Sequence, residues 1–338
     1  MSTPRRLGWW LLNVVLPLVV LVLLAVFVWN RREQFQAIGE APLLTVVLLA
    51  LLTAAGFSIN AAEFGILYRV LGAPVGALEN QCVFVAGQLG NHIPGQVGTL
   101  YRFRYMKSVY GLTYTNGVAV YSVNLVLTAL ATGAIGLVGC LGLWLNEGTW
   151  SLVLTGALLA LVVVALGAAS ISPTSKARQG RIGRLVTRFS SGWATASGDR
   201  KAAAAVVGLE LLRFVLLAVR LKIAFAWVGI DESVMFFLIV GPVGSLATFV
   251  SFTPSGIGIR ELVMAGATAA LGRSLEDGLL ASSVDRGINL LVVLLLGIPA
   301  AVATARWLHR AEAESTAETG SSAGEPSGSH QSLGSDLE

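Results

Sequence analysis

The chain has 338 residues, of which 55% are hydrophobic and only 12% charged, about half the ~25% charge of a soluble domain. With 38 glycines, two cysteines and a formal net charge of +4, it is neither a pair of soluble domains nor a disordered, collagen-like or disulfide-held chain. Its apolar residues come in long blocks, which predicts an all-α integral membrane protein.

In chain order, the first predicted span is about 9–29, with tryptophans at both ends like an interfacial belt. Arg5 and Arg6 precede it and Arg31 and Arg32 follow it, so it reads as an uncleaved helix rather than a signal peptide. The second span runs from Leu43 to about Leu71 and carries Asn60, Glu63 and Arg69 in its second half. The apolar piece Cys82–Pro94 is too short to cross and reads as re-entrant. It runs into Asn91-His92-Ile93-Pro94-Gly95-Gln96-Val97-Gly98, which cannot continue a helix smoothly. A basic aromatic stretch follows, with Tyr101, Arg102, Arg104, Tyr105 and Lys107.

Two spans are predicted at about 115–144 and 150–171, then a basic loop at 172–202 and a span at about 203–228. The last of these contains Glu210, Arg213, Arg220 and Lys222. The i,i+3 spacing of Glu210 and Arg213 fits a local ion pair or a coupling role, and Glu63 is a further candidate for coupling. Arg220 and Lys222, near a helix end, are expected to snorkel. The stretch 233–252 is apolar but interrupted at Gly241-Pro242, and leads into Thr253-Pro254-Ser255-Gly256-Ile257-Gly258-Ile259-Arg260-Glu261. The last span, about 278–307, contains Asp285 and Arg286. Residues 311–338 hold six carboxylates and no Lys or Arg, and read as a disordered acidic tail. Without that tail, residues 1–310 carry +10.

An internal repeat is visible. Pro94 and Gly98 correspond to Pro254 and Gly258. Gly111, Gly117, Ser122 and Asn124 correspond to Gly272, Gly278, Ser283 and Asp285, with one single-residue gap. The pseudo-repeats are about 75–145 and 233–307. If 82–106 and 234–272 each dip into the bilayer and return, three spans separate them and the repeat is inverted. The fold expected is therefore about six spanning helices plus two re-entrant broken-helix hairpins. The basic loops then share a side with both termini, which the positive-inside rule makes cytoplasmic, as in a bacterial-type cytoplasmic membrane.

Irregular backbone at membrane depth survives only where protein buries it or a polar cavity wets it. A half-helix starting at such a break offers backbone donors and partial positive charge to an anion. Glycines at 95, 98, 256 and 258 allow close approach by a ligand or by another backbone, and Arg260 could clamp a phosphate. Intramembrane Glu261, Asp285 and Arg286 join these as candidates. His92 reads as structural.

The block Thr253–Glu261, followed about 25 residues later by Asp285-Arg286, resembles the lysylphosphatidylglycerol synthase transmembrane-region family of flippase-like membrane proteins. Asn91–Gly98 with Arg102 resembles that family's first block. The resemblance covers about residues 10–308. It implies a lipid translocase, with Asn91, Pro94, Gly95, Gly98, Arg102, Pro254, Gly256, Gly258, Arg260, Glu261, Asp285 and Arg286 near the headgroup. Only the acidic tail follows Arg310, so the resemblance implies a stand-alone form without the soluble aminoacyl-transfer domain. The expected partners are anionic, aminoacylated or polyprenyl-linked lipids, and a partner synthase is a further expectation. No nucleic-acid partner, cofactor, metal site or catalytic residue is expected, and there is no nucleotide-binding G-x-x-x-x-G-K-[ST] motif. The alternatives are an enzyme or a partner subunit acting on lipid-linked glycans or phospholipids.

Overall fold

The computed structural model describes residues 42–93, 96–170, 193–195, 197–227, 229–250 and 258–322. These are overwhelmingly helical, with no strand among them. Five helices are long and apolar enough to cross a bilayer. They are α1 (Leu43–Val70), α4 (Tyr114–Glu147), α5 (Leu152–Ser170), α6 (Arg200–Trp227) and α9 (Leu275–Ser322). The span expected at 9–29, the basic loop at 172–192 and residues 323–338 lie outside the described residues.

Four shorter helices form two hairpins. The first pairs α2 (Ala77–Gly90) with α3 (Val97–Tyr110), and the second pairs α7 (Val234–Val250) with α8 (Ile259–Ala270). At 1.5 Å per residue the longest of them, α7 with 17 residues, rises only about 25 Å, short of a ~30 Å hydrocarbon core.

Both hairpins return to the side they came from, because their outer ends are tied together. The Tyr105 and Tyr110 hydroxyls, late in α3, donate to the two oxygens of Glu79, early in α2, each at 2.7 Å. Burial, then the hydrogen bond to Glu79, pushes both phenols above the usual tyrosine range. In the second hairpin Arg273, just after α8, pairs with Glu232, just before α7.

The two mouths lie at opposite ends of α4. Tyr110 closes the first, and Thr113 caps the N-terminus of α4 through Asn116 N at 3.2 Å. Glu147, the last residue of α4, lies 3.7 Å from Arg273 at the second mouth. The hairpins therefore open at opposite ends of α4. They also cross over: α2 packs on α9, and α7 packs on α4.

Small residues make this packing possible. A Cβ on Gly117 would sit 2.6 Å from the Phe103 ring, where α4 meets α3. A Cβ on Gly278 would sit 2.8 Å from Ala265 Cα, where α9 meets α8. The two glycines occupy corresponding positions and do the same job. Gly111 and Gly272 likewise take φ +68 and +80 just after α3 and α8, the left-handed stop that glycine tolerates without steric cost.

Apolar side chains gather into two cores. One surrounds the first hairpin and is built around Phe64, Tyr68, Phe84, Tyr105 and Met106. The other surrounds the second hairpin, with Phe214, Phe225, Phe236, Phe237 and Met264. Leu152, Val153, Leu159, Val163, Val164 and Leu166 of α5 and Leu43, Leu44, Val47 and Leu48 of α1 stay exposed, as lipid-facing surface should.

Two expectations need correction. Helix α7 is not interrupted at Gly241-Pro242 but continues through Pro242. Proline there removes one ladder bond, to Leu238, but Gly241 lets Leu217 and Leu221 of α6 pack within 3.2 Å of where a Cβ would stand, and this enclosure holds the helix together. Helix α9 runs on to Ser322, into the stretch expected to be disordered from 311. Ala311-Glu312-Ala313-Glu314 has high helix propensity, and Glu312 is held by Arg104 at 3.0 Å.

Candidate functional site

Between the inner ends of the two hairpins lies a cavity of about 210 Å³. Helices α1, α2, α3, α4, α6, α7, α8 and α9 all contribute to its wall. Its most distinctive lining is five arginines, Arg102, Arg213, Arg220, Arg260 and Arg286. The space is large enough for a phosphate-sized group with several waters.

Four of the arginines are held by carboxylates. Asp285, 1% exposed, pairs with Arg220 at 2.7 Å and with Arg260 at 2.9 Å. Arg220 also donates to Thr53 Oγ1 at 3.0 Å, tying α6 to α1. Glu261 pairs with Arg286 at 2.7 Å, and its second oxygen accepts from Gly258 N at 2.7 Å. Arg260 and Glu261 therefore reach Asp285 and Arg286 respectively, cross-linking the second hairpin to α9. Arg213 grips Glu210 through two contacts of 2.5 and 2.6 Å, one turn apart on α6.

Arg102 differs. It is 4% exposed, and its Nε and Nη1 have no hydrogen-bond partner among the described residues. Its guanidinium lies 4.5 Å from the Phe64 ring centroid and 5.2 Å from that of Phe84, a cation–π setting. Gly87 clears room for its stem, since a Cβ there would meet Arg102 Cδ at 2.9 Å.

The predicted site residues divide as follows. Arg102, Arg260 and Arg286 line the cavity with Asn91, and Glu261 and Asp285 stand behind the arginines. Asn91 accepts from Thr99 N at 3.0 Å, capping the start of α3 across the break. Gly98 serves packing: a Cβ there would fall 1.7 Å from Gly87 O. Gly258 starts α8 at φ +85. At the first tip Gln96 is the one non-glycine residue with positive φ among those described, a strained position of the kind found at binding sites. Pro94, Gly95, Pro254 and Gly256 lie outside the described residues. Of the coupling candidates, Arg213 lines the cavity, while Glu63 and Glu210 are buried at 1% exposure. His92 Nδ1 lies 3.0 Å from Gln88 O.

The expectation that Arg220 snorkels is overturned. Its side chain is 9% exposed and committed to Asp285, because Asp285 sits across the bundle on α9. Lys222 does reach the α6 end, 3.4 Å from Asp231. A signal for Arg220 was present in the sequence: it lies seven residues, two turns, after Arg213, on the same helical face.

Residues 6–297 match the family model described as the lysylphosphatidylglycerol synthase TM region. The chain belongs to this family. A UPF0104 membrane protein of Methanothermobacter thermautotrophicus is similar, at 29% identity over 117 residues. That match covers 35% of this chain, and the chain spans about a third of the relative's length, 33%. Both hairpins and the cavity lie within the family region.

Proposed function

We propose that this protein is a lipid translocase. The headgroup of an anionic, phosphate-bearing lipid enters the cavity between the hairpin tips while its chains stay in the bilayer. The observation that carries this reading is Arg102, a buried cation whose Nε and Nη1 have no partner among the described residues, at a cavity also lined by four other arginines. A buried charge without a counter-ion is costly, and a phosphate oxygen would supply what Arg102 lacks. The two hairpins, opening at opposite ends of α4, give the cavity a route to each leaflet. The reading includes no covalent chemistry. It places the cytoplasm on the side of Arg104, Lys107, Arg306 and Arg310, by charge bias.

Leaflet exchange of labelled phosphatidylglycerol, its aminoacyl form and a polyprenyl phosphate in proteoliposomes tests this. At least one should exchange well above protein-free vesicles. Arg102→Met should then slow exchange about tenfold or more, since a hydrogen bond to a charged group contributes ~1.5–3 kcal/mol. Melting temperature in detergent should hold or rise in the same variant, because an unpaired buried charge has gone. A fall in melting temperature with unchanged exchange would make Arg102 structural.

A further inference from the structure

A second polar cluster lies beside the cavity, at the junction of three spans. Glu63 of α1 and Glu210 of α6 place their carboxyl groups within hydrogen-bond reach of each other, and both residues are 1% exposed. The charges acting on Glu63 are Glu210 and Arg213, both on α6. Helix α4 has no charged residue before Glu147; it adds the Asn124 amide, whose Nδ2 is 3.5 Å from Glu63 Oε2, and the Thr128 hydroxyl, which bonds Glu210. The single acidic group of α2, Glu79, is held by tyrosines at the first mouth. On α9, Asp285 and Arg286 are engaged with Arg220, Arg260 and Glu261.

The charge count does not close. One arginine faces two carboxyl groups among the described residues, and both of its hydrogen bonds to them go to Glu210. Glu63 Oε1 has no donor among the described residues. Asn124, 1% exposed, aims its amide into the pair, and its Oδ1 has no partner either. Two ionised carboxylates are both acceptors and cannot bond each other. A proton on Glu63 removes the uncompensated charge and turns an acceptor into a donor. It can then serve Glu210 or the orphaned Asn124 oxygen, whose amide orientation is interchangeable.

We propose that the Glu63–Glu210 pair is a proton-binding site, with the resting proton on Glu63, and that it couples to the cavity through Arg213. Arg213 belongs to both places, bonding Glu210 and lining the cavity. When an anionic headgroup draws Arg213 toward itself, Glu210 loses its counter-ion and takes up a second proton from water, so that both carboxyls are neutral. When the headgroup leaves, Arg213 returns to Glu210 and that second proton is released to water, leaving Glu63 protonated as before. The coupling rests on the translocation reading; the proton site does not.

Infrared difference spectra of the purified protein test the proton site without any lipid flux. A protonated carboxyl C=O band should be present at neutral pH, disappear in Glu63→Gln and persist in Glu79→Gln. Absence of the band, or its persistence in Glu63→Gln, overturns the site. In proteoliposomes carrying labelled phosphatidylglycerol, a one-unit pH gradient should drive about tenfold leaflet asymmetry if one proton moves per lipid. Replacing both carboxyls, Glu63→Gln together with Glu210→Gln, should equilibrate the leaflets regardless of the gradient. Asymmetry driven by a sodium gradient but not by pH overturns proton coupling. A band present with no exchange of any lipid retains the proton site and overturns the coupling together with the translocase.

Discussion

Asp285→Ala should destabilise the protein by about 3–5 kcal/mol, the cost of removing one partner from a buried ion cluster. Asp285 is 1% exposed and is bound by two guanidinium groups. Without it, Arg220 and Arg260 face each other across the cavity wall with nothing between them, and two like charges remain buried. The loss should exceed that of any single arginine, because Arg260→Met leaves Arg220 and Asp285 as a pair. A double variant, Asp285→Ala with Arg260→Met, should recover part of the lost stability, since the two effects share one interaction. Chemical unfolding in detergent, compared across the three variants, reads this directly. Equal and additive losses would mean the arginines are solvated independently.

Gly98→Ala should be nearly as damaging, for a steric reason. Its Cβ would lie 1.7 Å from the Gly87 carbonyl oxygen, and Asn91 N would be only 2.8 Å away. Both obstacles are backbone, so no rotamer change relieves them. Overpacking usually costs ~1–3 kcal/mol, and a clash of this depth forces the legs of the first hairpin apart. The separation would carry Arg102 away from Phe64 and Phe84. Gly208→Ala is the control: nothing lies within 4 Å of its added Cβ, and alanine favours a helix by ~0.5–1 kcal/mol. Thermal melting of both variants should show a large drop for Gly98→Ala and none for Gly208→Ala.

Membrane architecture was legible in the sequence because it depends on length and apolarity, which are local properties. The apolar piece running into Asn91–Gly98 already marked the first hairpin, since it is too short to span; the second was marked by the Thr253–Glu261 block, although the break expected at Gly241-Pro242 is absent. Position 98 was legible as glycine-dependent, but not whether a ligand or a backbone needed the room; that depends on α2, eight or more residues away. Asp285, Arg286, Arg260 and Glu261 were visible as intramembrane charges. Their pairing was not, because the partners are 25 residues apart and their alignment is set by how α8 lies on α9. Arg220 was misjudged for the same reason: nearness to a helix end suggested water, while its partner stood 65 residues away. Arg102 was named from its setting beside the first break, but that it alone of the five lacks a carboxylate among the described residues is a property of the packed bundle.

The most direct test of a phosphate-bearing headgroup in this cavity is native mass spectrometry of the detergent-purified protein, wild type beside Arg102→Met. The wild type should retain a phosphate-bearing lipid in preference to neutral lipids, and the variant should lose that preference while keeping its fold. Retention of the same lipid by both proteins, or no preference for phosphate in the wild type, would contradict the account.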